Sequence, residues 1–151
     1  MKTLLYQRKR ILALLARLDW LPLALIRLTI GLVFGSTGLG KIQNLDKVTA
    51  FFVDLGVPAP AFNAALVGWC EFLGGGLLLV GLLSRLAAIP LVVTMVVAII
   101  TAKKSEIHGF IDLLGTLEFA YLVLLVSIAI LGPGAASVDA LLAKRLSKPE
   151  T

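Results

Sequence analysis

An all-α integral membrane four-helix bundle is the fold class this sequence predicts, and three observations predict it. Four apolar runs, at roughly residues 20–39, 61–83, 86–102 and 113–131, approach the ~20 residues a helix needs to cross a bilayer. Of the 151 residues 59% are apolar and 15% charged, with a mean hydropathy of +1.00, more hydrocarbon than a soluble domain of this length carries. The connections are short, leaving no room for a separate water-soluble catalytic domain. The expected organisation is a basic amphipathic N-terminal segment (1–19), a bundle (20–134) and a tail (135–151).

The net charge of +5 is a topology signal and gives no reason to expect nucleic acid. Lys2, Arg8, Lys9, Arg10, Arg17, Arg85, Lys144, Arg145 and Lys148 fall on one side of the spans, and Lys41, Lys47, Lys103 and Lys104 on the other. Nine against four is the positive-inside pattern, which places both termini in the cytoplasm and the chain, multi-pass, in the cytoplasmic (inner) membrane.

Residues 3–18 alternate basic and apolar groups and read equally as an amphipathic helix on the membrane surface or a basic tail. The run Ile11–Ala16 is short and ends at Arg17, so no cleaved secretory signal is expected. The first span opens with Trp20 as an interfacial anchor and Pro22 in its first turn. Gly31, Gly35 and Gly38 share a helical face with Arg27 and permit close backbone approach. A loop over 41–60 follows, with a helical piece at Leu45–Leu55 and the pair Phe51 and Phe52, and reads as an interfacial cap.

In the second span Ala64, Gly68, Glu71, Gly75 and Leu78 share a face, and Gly74-Gly75-Gly76 predicts close backbone contact there. The third span carries no charge; Ala87, Thr94, Ala98 and Thr101 form its expected inward stripe, with Pro90 in its early turns. The fourth puts Gly115, Glu118, Tyr121 and Leu125 on one face and stops at Gly132-Pro133-Gly134.

Charges inside spans carry the functional reading. A stranded Arg or Glu at the bilayer centre costs about 2.5–3.5 kcal/mol, so Arg27, Glu71 and Glu118 are expected to face inward. Counting residues from the span ends places Arg27 at the depth of Glu71 and Glu118 within reach of Lys41, which predicts two pairs, Arg27–Glu71 and Lys41–Glu118. These pairs either only hold the bundle together or line a polar pocket for a headgroup such as a quinone carbonyl, or for proton relay, with Tyr121 and Thr94 as further hydrogen-bond partners.

Other chemistries find less support. Gly35 to Lys41 satisfies G-x-x-x-x-G-K, but Ile42 stands where a phosphate-binding loop needs Ser or Thr, and the segment ends a membrane helix. One cysteine, Cys70, and one histidine, His108, supply no metal or haem ligand set, so no metal is expected and Cys70 reads as a packing residue.

Arg27-Leu28-x-x-Gly31-Leu32-x-Phe34, Gly38-x-x-Lys41, Gly56-Val57-Pro58, and the run from Glu71-Phe72-x-Gly74-Gly75 through Gly81-Leu82-x-x-Arg85-Leu86-Ala87-Ala88 form an ordered set. Together with Glu118, Gly132-Pro133-Gly134 and Ser137-x-Asp139, the set resembles the DoxX-like integral membrane proteins over about residues 24–142. The chain departs from the pattern at Thr37, where relatives often carry His, which puts a catalytic carry-over in doubt. The resemblance implies a four-helix membrane protein tied to redox processes: some relatives resemble a small membrane subunit of an archaeal thiosulfate:quinone oxidoreductase or belong with oxidative-stress complexes, and distant ones act as receptors or assembly factors.

The expectation is therefore a membrane protein that supports a redox process through quinone or a redox partner protein, as an accessory subunit of a quinone-linked oxidoreductase. Arg27, Lys41, Glu71, Glu118 and Tyr121 are its pocket residues, and no catalytic residue is assigned. Quinone is the one cofactor considered, nothing is expected to be bound covalently, and homo-oligomers remain open. The alternatives are a non-catalytic assembly protein with structural ion pairs and, less favoured in the absence of an inverted repeat, a small proton-coupled transporter.

Overall fold

The structure is a computed structural model that describes Leu12 and residues 15–146. The amphipathic segment expected over 3–18 lies mostly outside those residues. The described chain forms seven helices: α1 (Leu21–Gln43), α2 (Leu45–Asp54), α3 (Pro60–Val80), α4 (Ser84–Thr101), α5 (Phe110–Leu114), α6 (Leu117–Leu131) and α7 (Val138–Leu146). α1, α3 and α4 are long and apolar enough to cross a membrane, and α6 is a shorter apolar helix. In the bundle α1 packs on α3, α3 on α4, α4 on α6 and α6 back on α1, with α2 lying over one end of α3.

Glycines set the register between α1 and α3. A Cβ on Gly31 would strike Leu79, one on Gly75 would overlap the backbone of Gly35, and one on Gly38 would overlap Phe72. The numbers in each of these three pairs add to 110, so every contact reports the same antiparallel register. Small residues allow this approach where the lipid phase supplies no hydrophobic force between helices, and dispersion between close backbones holds the pair instead. Within Gly74-Gly75-Gly76 the roles divide: Gly75 meets α1, Gly74 faces Leu91 of α4, and Gly76 faces open space. Ile30, Phe34, Leu78, Leu91, Met95, Leu125 and Ile128 fill the centre, while Leu32, Ile89, Ile100 and Ile130 stay exposed on the outside, as a lipid-facing surface requires.

The fourth apolar run is not one helix. The chain turns at Gly115 and Thr116, and the Thr116 hydroxyl accepts the Phe119 N–H at 3.3 Å as the cap of α6. Fifteen residues at 1.5 Å each make α6 about 22 Å long. Glu118 consequently sits in the first turn of α6, where an acidic side chain suits the helix dipole, and not several residues inside a span as the apolar run suggested.

At the opposite end the chain after α6 folds back onto the bundle. Arg27, 5% exposed, donates from Nη1 to the Pro133 carbonyl at 3.1 Å and from Nη2 to the Ala136 carbonyl at 2.7 Å. Asp139 accepts the N–H groups of Leu83 at 2.9 Å and Ser84 at 3.2 Å, capping α4, and its own N–H donates to the Gly81 carbonyl at 3.0 Å. Gly81 has φ +75, and a Cβ there would collide with the Arg27 guanidinium and with Ser137. Arginine, glycine and aspartate thus form one latch that ties α1, the α3–α4 turn and the tail together.

Candidate functional site

The expected pairing of Arg27 with Glu71 is wrong. In the shared register Arg27 lies opposite the α3–α4 turn, and Gly81, which touches its guanidinium, is ten residues beyond Glu71, about 15 Å along the helix. Depth counted from the ends of apolar runs missed this because those ends are not level: in this register Val80, the end of α3, lies opposite Ile30, and the first turns of α1 extend past it. Backbone contacts, and not span limits, fix which residues face each other.

Glu71 instead pairs with Lys41. The Lys41 Nζ lies 2.5 Å from both carboxylate oxygens of Glu71, and the Thr37 hydroxyl donates to Oε2 at 3.1 Å. The local sequence explains the grouping. Gly38 presses on the backbone at Glu71 and Phe72, and Thr37 and Lys41, an i,i+4 pair on one side of that contact, both reach the carboxylate. Glu71 is 2% exposed, whereas the Lys41 side chain is 30% exposed. The buried member of the pair is therefore the acid, compensated by an ammonium and a hydroxyl. The expected Lys41–Glu118 pair is corrected at the same time, because the lysine is engaged on the other side.

Lys41, Glu71 and Glu118 nevertheless share one cavity. It has a volume of about 890 Å³ and lies at the end of the bundle where α2 covers the space between α1, α3 and α4. Phe51 and Phe52 of α2 wall it on one side and Val93, Thr94 and Thr101 of α4 on another. The hydroxyls of Thr94 and Thr101 are turned back to the Leu91 and Val97 carbonyls of their own helix, so this wall is apolar toward the cavity. Lys103, Glu106 and Glu118 form a charged rim. Lys103 donates to Glu106 at 2.9 and 3.0 Å. That hydrogen bond, followed by the charges of Glu106 and Glu118, holds its ammonium above the usual lysine value against the opposing effect of burial.

Two candidates fall elsewhere. Arg27 belongs to the latch, and Tyr121 packs edge-on against Phe34, with ring centroids 5.9 Å apart, beside the core. Sequence reasoning missed Lys103 and Glu106 as rim residues and Asp139 as a cap. The rim is detectable in retrospect from Lys103-x-x-Glu106, an i,i+3 opposite-charge pair directly after the third run. Asp139 gave no such signal, because its partners are backbone groups 55 and 56 residues away.

A lysine that gives two N–H groups to a carboxylate keeps a third. Here that donor sits on an ammonium lining an apolar cavity whose size lies within the ~300–1,000 Å³ of typical small-molecule sites. The arrangement suits a ligand with an apolar body and one or two hydrogen-bond acceptors.

Comparison with known proteins agrees with the architecture. The family model described as DoxX matches residues 22–104, which takes in Arg27, Lys41 and Glu71 and stops short of Glu118 and Asp139. The chain is 39% identical over 131 residues, 80% of each chain, to "Uncharacterized membrane protein Rv3486" of Mycobacterium tuberculosis. It is 35% identical over 104 residues, 69% of this chain and 72% of the other, to "Putative oxidoreductase CatD" of Bacillus subtilis. No solved structure matches the chain significantly. With the match running from the first turn of α1 to just beyond α4, this membrane protein belongs to the DoxX family.

Proposed function

We propose that this protein supports a redox process by holding the head of a lipid-soluble quinone in the cavity beside Lys41 and Glu71. The observation that carries the reading is the spare N–H of a buried-pair lysine in an apolar cavity within the membrane part of the fold. A quinone offers an apolar ring with carbonyl acceptors and reaches such a site from the lipid. The name of the Bacillus subtilis relative adds support for a redox setting. When bound, the quinone supplies the electron-accepting chemistry, and a redox centre on a partner protein supplies the electrons. The part of this chain is positional: Lys41 donates to a carbonyl oxygen, Glu71 fixes the lysine, and α2 screens the site from water.

The cytoplasmic membrane, with both termini in the cytoplasm, is the proposed setting, supported by the nine-to-four distribution of basic residues. The cavity then opens near the outer face, and the partner docks there or reaches it from the membrane.

Titration of the purified protein in nanodiscs with a short-chain benzoquinone, read by quenching of Trp69 fluorescence in a Trp20→Phe background, tests the reading. Saturable binding is expected for the natural chain, with at least about a tenfold loss in the Lys41→Met/Glu71→Leu double variant, since a charge-assisted hydrogen bond contributes about 1.5–3 kcal/mol. Non-saturable quenching, or equal affinity in the double variant, would refute it.

A further inference from the structure

A second apolar depression runs along the outside of the α3–α4 seam. It measures about 340 Å³ and is lined by Trp69, Leu73, Leu77, Leu83, Leu86 and Ala87 among others. Leu66, Cys70 and Pro90 line both this groove and the cavity that holds Lys41. The two spaces therefore adjoin at a junction made by one turn of α3 and the proline of α4, which borders both. The groove is far less polar than the cavity, with no charged residue among its lining, and the change occurs at that junction.

We propose that the two spaces hold a single molecule, an isoprenoid quinone whose ring lies in the cavity and whose tail leaves through the junction and follows the groove. The inference rests on the proposed quinone reading of the cavity and adds the tail and its path. A second copy or a partner helix is a poor occupant, because a packed helix needs a broad face along its length, whereas the groove is a depression of about 340 Å³ that borders the cavity holding Lys41 and Glu71.

The groove also sets a length. From Leu66 to Leu77 of α3 is eleven residues, about 16 Å at 1.5 Å per residue. An extended chain covers roughly 3.6 Å for every three bonds, so about thirteen bonds fill it, or three isoprene units. Beyond that length the tail emerges into lipid. Because lipid is as apolar as the groove, burial in it gives no hydrophobic gain. The groove acts through packing against fixed walls and through orientation of the ring, and its effect must be measured after membrane partitioning is removed.

Two experiments on the full chain in nanodiscs test the proposal. In the first, affinities of benzoquinones with no, one, two, three and more isoprene units are expressed per mole fraction in the lipid. A rise of about tenfold up to three units and none beyond is expected, and a flat series overturns the proposal. In the second, a benzoquinone carrying a diazirine at the end of a chain of about twelve carbons is photolysed and the labelled residues are mapped. Labels on Leu73, Leu77, Leu86 or Ala87 that disappear when tail-less benzoquinone competes support it. Labels on Leu32, Ile100 and Ile130 that do disappear under that competition leave the head site standing and overturn the groove. Labelling that no benzoquinone displaces overturns both. Leu73→Trp, which fills the groove at an exposed residue that does not line the cavity, is expected to abolish the dependence on tail length while leaving tail-less benzoquinone binding within about twofold; should the variant fold poorly, the mapping on the natural chain decides.

Discussion

Replacing Lys41 by Met tests the central pair most directly. Glu71 is 2% exposed and receives both of its charged contacts from one ammonium, with the Thr37 hydroxyl as its remaining donor. Removing the lysine strands a buried carboxylate, which costs about 3–5 kcal/mol. The reverse change, Glu71→Leu, should cost less, about 1–2 kcal/mol, because the freed lysine sits in the last turn of α1, is partly exposed, and can swing its ammonium toward the headgroups. Changing both residues leaves no buried charge and should return stability to within about 1 kcal/mol of the natural chain. The resulting coupling, at least about 3 kcal/mol, reaches the upper end for residues in contact. Equilibrium unfolding in mixed micelles, followed by tryptophan fluorescence, gives all the required free energies. Arg27→Met combined with Glu71→Leu serves as the control cycle and should be additive, since the two sites are about 15 Å apart along the bundle. Additive losses for Lys41 and Glu71, or coupling between Arg27 and Glu71, would refute the register deduced from the glycines.

Further expectations concern other parts of the molecule. Asp139→Ala removes both caps of the α3–α4 turn and should lower stability by about 1–2 kcal/mol, with proteolysis of the tail accelerated well before the bundle melts. Gly75→Ala, which drives a methyl into the Gly35 backbone, should reduce the yield of folded protein severely, whereas Gly76→Ala, facing open space, should be neutral or stabilising by up to about 1 kcal/mol through helix propensity; melting temperatures of the two distinguish close approach from a general demand for glycine. Alkaline phosphatase fused after Lys148 should be inactive and a fusion within 47–56 active; the opposite result would invert the proposed orientation. Glu118→Gln should leave the melting temperature nearly unchanged, because the rim residue is not engaged with Lys41, and any loss of bound quinone in that variant would assign the rim a part in ligand retention.

Much of the fold was legible because its signals are local or periodic. Apolar runs marked the spanning helices, and the glycine stripes on 31, 35 and 38 and on 68 and 75 marked the faces by which α1 and α3 meet. The same stripes contained the register, but only if one face is slid along the other, and the sequence offers no gauge for that slide. This is why Arg27 and Glu71, both correctly placed facing inward, were joined to the wrong partners. The fourth helix was misjudged for a related reason. Hydropathy averages across Gly115 and Thr116, whereas the backbone responds to a single capping hydroxyl. The latch was the least legible part, since its acceptors for Arg27 are main-chain carbonyls of Pro133 and Ala136, which every residue possesses and no composition reveals.

The two polar ends of the bundle solve the same problem differently, and the contrast bears on function. Arg27 donates from both Nη atoms to carbonyls held in a loop with positive φ at Gly132 and Gly134, and Asp139 fixes that loop to the next turn. Arg27 and Asp139 there turn inward to main-chain groups of the chain itself, and the two buried polar side-chain atoms left without a partner among the described residues, Arg27 Nε and Ser84 Oγ, line neither the cavity nor the groove. At the far end the geometry leaves donor capacity unused: Lys41 has a third N–H beside an open apolar space, and α2 touches the bundle mainly through α3. A structural pair alone would be better served by closure around it, as the latch shows this chain can achieve. The large cavity kept beside a buried carboxylate therefore weighs toward a ligand at that end. Rigid packing of α1 on α3, which needs Gly31, Gly38 and Gly75 to be small, holds the lysine and the carboxylate in place so that the opening on the α4 side does not disperse them.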